Sequence, residues 1–186
     1  MNEADNILRI LTEAKDAIEK KDSYKLKTLS DQTIHSAAIY QDADNIVVAV
    51  VIYSLAKIIE RDKYRQMEGW DKFYSTTIKN LDLSIEYIST GEFEKFLLSM
   101  GKIRNSINEI KGSLSAYIRD VFYKAGINKA FKLYEHGLSS EKTAELLGIS
   151  LWDLAGYIGQ STVSESHLNE ALPVRDRVKL VENFFK

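Results

Sequence analysis

Histidines and cysteines set the first limit on the chemistry that this chain can perform. His35, His136 and His167 lie in three different segments, and the chain contains no cysteine. No metalloprotease, phosphate-binding-loop, dinucleotide-binding or serine-hydrolase motif accompanies the histidines. Without cysteine, the chain has no disulfides, thiolate zinc sites or cysteine nucleophiles. We therefore expect a non-enzymatic protein with no catalytic residue and no cofactor.

One polar segment keeps a metal-binding alternative open. Asp31 and His35 are four residues apart, which places both on one face of a helix, and Asp42 could join them if the next helix folded back. This alternative is a metal-binding protein or an enzyme that uses these three side chains. The simpler interpretation is that the aspartates cap helices and His35 lies at a polar helix contact. We favour it, because no second pair of candidate ligands has helical spacing.

A helix-turn-helix is predicted over residues 139–158, with the sequence SSEKTAELLGISLWDLAGYI. Counted from Ser140, the small Ala144 falls at the fifth position, where two crossing helices leave little room. Gly148 falls at the ninth position, where a tight turn favours a positive φ. Ser150 can cap the second helix. Because such units commonly place their second helix in the DNA major groove, DNA binding is the first functional expectation.

The side chains of this unit leave the type of partner open. No lysine or arginine occurs between Thr143 and Val174, although phosphate contacts dominate nucleic-acid affinity. Trp152 stands where base edges should be contacted, and it cannot form the paired hydrogen bonds that distinguish bases; its alternative place is the core of the unit. We therefore keep a DNA-binding regulator and an adaptor that docks a protein without DNA as the two leading interpretations, with a purely structural unit as the third. The residues predicted for the nucleic-acid contact are Lys129, Lys132, Lys142, Trp152 and Gln160.

Composition and charge are typical of a soluble helical protein. Of the 186 residues, 45% are hydrophobic and 28% are charged, and the net charge is −2. The acidic N-terminus has no signal-peptide pattern, and the most apolar run, residues 46–59, is shorter than the ~20 residues that span a bilayer. A single proline favours long helices. We therefore predict an all-α fold and a cytoplasmic location without membrane contact.

Apolar spacing predicts the order of the helices. A helix is expected over residues 4–20, where an apolar stripe at helical spacing consists of Ala4, Ile7, Leu8, Leu11, Ala14 and Ile18. Further helices are expected from residue 23 to about 40 and over the apolar run 46–59, for which a buried strand is the alternative. Two apolar stripes around the loop 89–91 predict a helical hairpin, with positions at Trp70, Tyr74, Ile78, Leu81, Ile85 and Ile88 and then at Phe96, Met100, Ile103, Ile107 and Ile110. A further helix is expected over residues 114–125, with Gly126 as a weak break and Gly137 as a stop.

These elements predict three units along the chain. A helical bundle covers residues 1–112, the helix-turn-helix unit covers 113–160, and a connector with a tail helix covers 161–186. Pro173 can open the tail helix. The apolar face of that helix carries Val178, Val181 and Phe185, which we expect to bind a protein partner. We also expect a homodimer.

The block YEHGLSSEKTAELLGISLWDLAGYIGQ, residues 134–160, resembles small archaeal and bacterial antitoxins that pair with PIN-domain ribonucleases. The shared pattern is a Tyr and a Gly, then Leu-Ser, an alanine in the first helix, Leu-Gly-Ile-Ser, and a tryptophan that opens the second helix. This resemblance implies that the unit binds a DNA operator or holds the protein together, while the tail wraps a PIN-domain ribonuclease.

The whole chain also resembles an uncharacterised archaeal family of helical proteins. That likeness rests on the segments LSDQTIHSAAIYQDADN and PVRDRVKLVENFF. It brings no known activity. The long N-terminal bundle departs from the small size of the antitoxins, so the antitoxin resemblance implies no role for it.

Overall fold

The computed structural model of this chain describes residues 3–40, 43–106, 113–147, 150, 152 and 154–156. Across these ranges the regular structure is helical and no strand occurs, so the fold is all-α. The α-helices are α1 (Ala4–Glu19), α2 (Ser23–Tyr40), α3 (Ala43–Ile59), α4 (Trp70–Ser89), α5 (Phe93–Asn105), α6 (Ser113–Glu135) and α7 (Ser140–Leu147), and a 3₁₀ helix spans Asp62–Gln66. The strand alternative for residues 46–59 is wrong, because this run lies within α3.

The first three helices form where apolar spacing and short breaks predict them. In α1, Ile7, Leu11 and Ala14 are fully buried, as the predicted stripe requires. Lys21, with a φ of 58°, turns the chain between α1 and α2. The Asp22 side chain accepts a hydrogen bond from the backbone N–H of Lys25 at 2.8 Å, which caps the start of α2.

Helices α4 and α5 form the predicted hairpin, but the buried face of α4 differs from the predicted stripe. Trp70, Leu81 and Ile88 are buried as expected, and Tyr74, Ile78 and Ile85 pack half-buried against the core. Thr77, Asn80 and Ser84 are buried as well, which the predicted stripe did not include. The Ser84 hydroxyl donates to the Asn80 carbonyl, and its Oγ lies 2.7 Å from Ser99 Oγ of α5. Asn80 and Ser84 can be buried at low cost because each donates a hydrogen bond to a carbonyl of its own helix, which hydrophobicity alone does not predict. Ile107 and Ile110 lie outside the described residues.

Helix α6 is longer than the sequence predicts. It continues without a break through Gly126 and ends at Glu135. The predicted stop at Gly137 is confirmed: its φ is 94°, its N–H donates to the Tyr134 carbonyl, and the next N–H, from Leu138, donates to the Leu133 carbonyl. This pair of bonds satisfies the carbonyls at the helix end and requires a residue that tolerates a left-handed conformation.

The first half of α6 belongs to the same core as the N-terminal helices. Leu114, Ile118, Val121 and Phe122 pack in the cluster that includes residues of α1 to α5. A smaller cluster joins α2, α3 and the end of α6, through Ile34, Ala37, Ile46, Ala49, Leu133 and Leu138. The predicted boundary after residue 112 therefore does not coincide with a gap in the packing. Among the described residues, no helix is long and apolar enough to cross a membrane.

Candidate functional site

The predicted helix-turn-helix is partly described. Helix α7 begins at Ser140, and Ala144 is 6% exposed, as the crossing of two helices requires. The backbone N–H of Leu154 donates to the Ser150 carbonyl at 3.2 Å, which begins a helical turn at Ser150, and the Leu154 side chain is fully buried. Gly148 lies outside the described residues, so the turn between the two helices stays a prediction.

A groove of about 560 Å³ lies between α3, α6 and the helical residues Trp152 and Gly156. We call it the Trp152 groove. Its aromatic lining consists of Tyr53, Tyr123 and Trp152, and its charged lining consists of Lys57, Arg61, Lys124 and the carboxylate of Asp120. The groove therefore combines aromatic surface with three cations and one carboxylate.

Trp152 is the most exposed large apolar side chain of the described residues. It is 88% exposed, and Tyr123 beside the groove is 50% exposed. Ala155 and Gly156, on the same helical turn, are also exposed. A tryptophan that served only the core of the helix-turn-helix would be buried. Its exposure therefore favours contact with another molecule.

The cations of the Trp152 groove already have partners within the chain. Lys57 Nζ lies 3.5 Å from a Glu60 carboxylate oxygen, and Lys124 Nζ lies 2.9 Å from an Asp120 oxygen. The ammonium groups of Lys27 and Lys57 hold the pKa of Glu60 below its usual value. Arg61 donates to the Tyr64 hydroxyl at 2.7 Å. An anionic ligand must compete with each of these contacts.

On the other side of α6, charged side chains join α2 to α6. We call the set Asp31, His35, Lys129, Lys132 and His136 the α2–α6 seam. Lys129 is fully buried, and its Nζ lies 2.7 Å from Asp31 Oδ1 and 4.1 Å from the centroid of the Tyr53 ring. Burial lowers the pKa of Lys129 to about 8 against the opposing effect of Asp31. The predicted phosphate contact by Lys129 is therefore wrong, because a buried ammonium group cannot touch an external phosphate.

Asp31 is the centre of this seam. Lys132 Nζ lies 2.8 Å from the same Asp31 oxygen and is about one-third exposed. Burial alone would raise the pKa of Asp31, but the hydrogen bonds from Lys129 and Lys132 outweigh it and leave the pKa below its usual value. Because two ammonium groups occupy this carboxylate, Lys132 also has an internal role that the sequence does not show.

The predicted metal set does not come together in the described residues. Asp31 bonds to lysines, Asp42 lies outside the described residues, and no group of three or more candidate ligands occurs among the residues that the structure describes. Instead, His35 faces His136, with ring centroids 5.4 Å apart and ring planes at 65°. Sequence reasoning missed this pair, although the four-residue spacings from Asp31 to His35 and from Lys132 to His136 match.

Several predicted site residues cannot be placed. Lys142 lies on α7, but its side chain is outside the described part of the chain. Gln160 and the tail residues Val178, Val181 and Phe185 are also outside it. Their predicted contacts with DNA or with a protein partner stay predictions.

Comparisons of this chain with protein-family models, with curated proteins and with solved structures found no match. The resemblance to antitoxins therefore stays an expectation.

Proposed function

We propose that this chain is a non-enzymatic regulatory protein that docks a partner protein in the Trp152 groove. The observation that carries the proposal is the 88% exposure of Trp152 beside a groove of about 560 Å³. Exposed aromatic side chains at the edge of a cleft are the residues that most often dominate protein–protein binding energy. A soluble protein otherwise gains little from leaving an indole in water.

The lining of the groove indicates the chemistry of the partner. Trp152, Tyr53 and Tyr123 offer apolar surface, while Gly156 allows a partner backbone to approach closely. Lysine and arginine on the rim favour carboxylates on the partner. We infer a segment that carries an apolar side chain flanked by Asp or Glu. The tail of this chain is a poorer occupant, because its 173–186 stretch carries Arg175, Arg177, Lys179 and Lys186 against only Asp176 and Glu182.

A DNA-binding regulator, including an antitoxin-like one, is the second candidate function. It is favoured by the interleaving of three cations with three aromatic rings in the groove, a pattern that also suits nucleic acid. Two observations weigh against it. Lys129 is buried, and the small exposed Ala155 and Gly156 offer no side-chain hydrogen bonds for reading bases.

The test uses the full chain and a matched pair of aromatic substitutions. Proteins captured by the wild type but not by Trp152→Ala are identified, purified and titrated individually by fluorescence anisotropy. Trp152→Ala should weaken binding by about 30-fold, the loss typical of an interface hot spot. Tyr24→Ala is the control, because Tyr24 is 80% exposed on α2 and does not line the groove. It should leave the affinity unchanged.

The same variants distinguish the second candidate. Binding to labelled duplex and single-stranded DNA is measured between 50 and 200 mM salt, where a phosphate-dependent contact should weaken steeply. DNA binding that is lost in Lys57→Ala and Arg61→Ala would favour the nucleic-acid function. A purified partner that binds Trp152→Ala as tightly as the wild type would contradict the docking proposal.

A further inference from the structure

We propose that His35 and His136 form a two-histidine site for a divalent transition-metal ion, with Zn²⁺ as the probe. This site lies in the α2–α6 seam and is separate from the Trp152 groove. The two rings are in contact, with centroids 5.4 Å apart, and both residues are exposed to solvent. Neutral imidazole nitrogens are preferred ligands of zinc, copper and nickel ions.

The distance between the rings suits a shared ion. With metal–nitrogen bonds of about 2 Å, an ion lies about 3.2 Å from each ring centroid, and tetrahedral angles then set the centroids about 5.2 Å apart. The observed 5.4 Å is close to that value. The rings stand edge to face, so binding requires rotation of an exposed ring about its Cβ–Cγ bond to turn a nitrogen towards the ion. This rotation leaves the backbone in place.

The surrounding fold fixes the two histidine backbones. One helical turn before each histidine, Asp31 and Lys132 form an ion pair at 2.8 Å that joins α2 to α6. The N–H of His136 donates to the Lys132 carbonyl at 3.1 Å. Ile34 and Leu133 pack together in the smaller core cluster next to them. A site whose ligands are held by packed helices needs little rearrangement to bind.

Two protein ligands leave the remaining coordination positions to water. The carboxylate of Asp31 is held by two lysines, and no group of three or more candidate ligands exists among the described residues. We therefore expect one weakly held ion, with a dissociation constant in the micromolar range. The ion would join α2 to the residue directly before Gly137, where the chain leaves α6 for α7.

The test is isothermal titration calorimetry of the full chain, free of any histidine tag, with zinc chloride. The wild type should bind one ion, and His35→Ala and His136→Ala should each weaken binding by at least about tenfold. His167→Ala is the control, because it removes the third histidine of the chain and should leave the affinity unchanged. Circular dichroism checks that each variant keeps its helices.

A second measurement keeps the result independent of the heat signal. In nuclear magnetic resonance spectra, zinc should shift the ring signals of His35 and His136 together and leave those of His167 in place. The melting temperature of the wild type should rise with zinc, while that of the two seam variants should not. Absence of zinc binding at millimolar concentration would overturn the proposal. Full affinity in either seam variant, or a loss in His167→Ala, would overturn it as well.

Discussion

Helix α6 presents two faces that use similar side chains in opposite ways. On the α2–α6 seam, Lys129 and Lys132 share the carboxylate of Asp31, and Lys129 is fully buried. On the Trp152 groove, Lys124 is 71% exposed and Trp152 is 88% exposed. The cations of the seam hold the fold together, whereas those of the groove remain within reach of a partner. A count of basic residues along α6 therefore overstates the charge that another molecule can meet.

The two faces of α6 differ in how far their ammonium groups are exposed to solvent. Burying an ammonium group without a carboxylate close by strongly destabilises the fold, because the charge loses its hydration and gains no partner. An exposed pair gains little, because water screens the attraction and the side chains stay mobile. The following variants, ordered from the largest expected effect to the smallest, test this contrast.

Asp31→Ala should have the largest effect on stability. It leaves the buried Lys129 ammonium without its carboxylate, which should lower the free energy of unfolding by about 3 kcal/mol. Asp120→Ala removes the carboxylate that pairs with the exposed Lys124 on the groove face. It should change the free energy of unfolding by less than about 0.5 kcal/mol. Guanidinium unfolding measures both.

A double variant shows whether the loss in Asp31→Ala comes from the unpaired charge. Adding Lys129→Met should restore most of the stability, because a buried apolar chain of similar length needs no partner. Equal losses in Asp31→Ala and Asp120→Ala would contradict the contrast between the two faces.

The pH dependence of stability should show the burial of Lys129 on the seam face. Because the folded chain releases the Lys129 proton near pH 8 and the unfolded chain near pH 10.5, the unfolded state binds more protons in between. The stability of the wild type relative to Lys129→Met should therefore rise by about 2 to 3 kcal/mol from pH 8 to pH 10.5. A parallel curve for Lys129→Met would show that the buried ammonium keeps its ordinary pKa.

A pair of glycine substitutions tests whether α6 is one continuous element that carries both faces. Gly126→Ala should raise the free energy of unfolding by about 0.5 kcal/mol, since an added Cβ meets nothing within 4 Å and the backbone is helical. Gly137→Ala should lower it by about 1 kcal/mol, because alanine is strained at a φ of 94°. Thermal unfolding measures both, and a loss in Gly126→Ala would indicate a real break in the helix.

Local spacing in the sequence predicted much of the fold. The apolar stripe of α1, the stop at Gly137 and the loop between α4 and α5 depend on neighbours within a few residues, and the structure agrees with each. The continuation of α6 through Gly126 was missed, because glycine weakens a helix by an amount that packing on the bundle can exceed.

The candidate site was less predictable, because it depends on contacts that are distant in sequence. Lys129 bonds to Asp31 across 98 residues, and helical spacing alone could not show which face of α6 the core would cover. The sequence left Trp152 open between a contact surface and the core of the helix-turn-helix, and its 88% exposure argues against the core. The groove beside it requires α3 and α6 to lie side by side, and the apolar spacing within either helix does not predict that contact.

Acrylamide quenching of tryptophan fluorescence tests most directly the central claim that Trp152, beside the groove face of α6, is open to solvent. The chain has two tryptophans, Trp152 at 88% exposure and Trp70 at 9%. The wild type should show one accessible and one protected population, and Trp152→Phe should lose the accessible one. A Trp152→Phe variant that is quenched as strongly as the wild type, or a wild type that resists the quencher, would contradict the account.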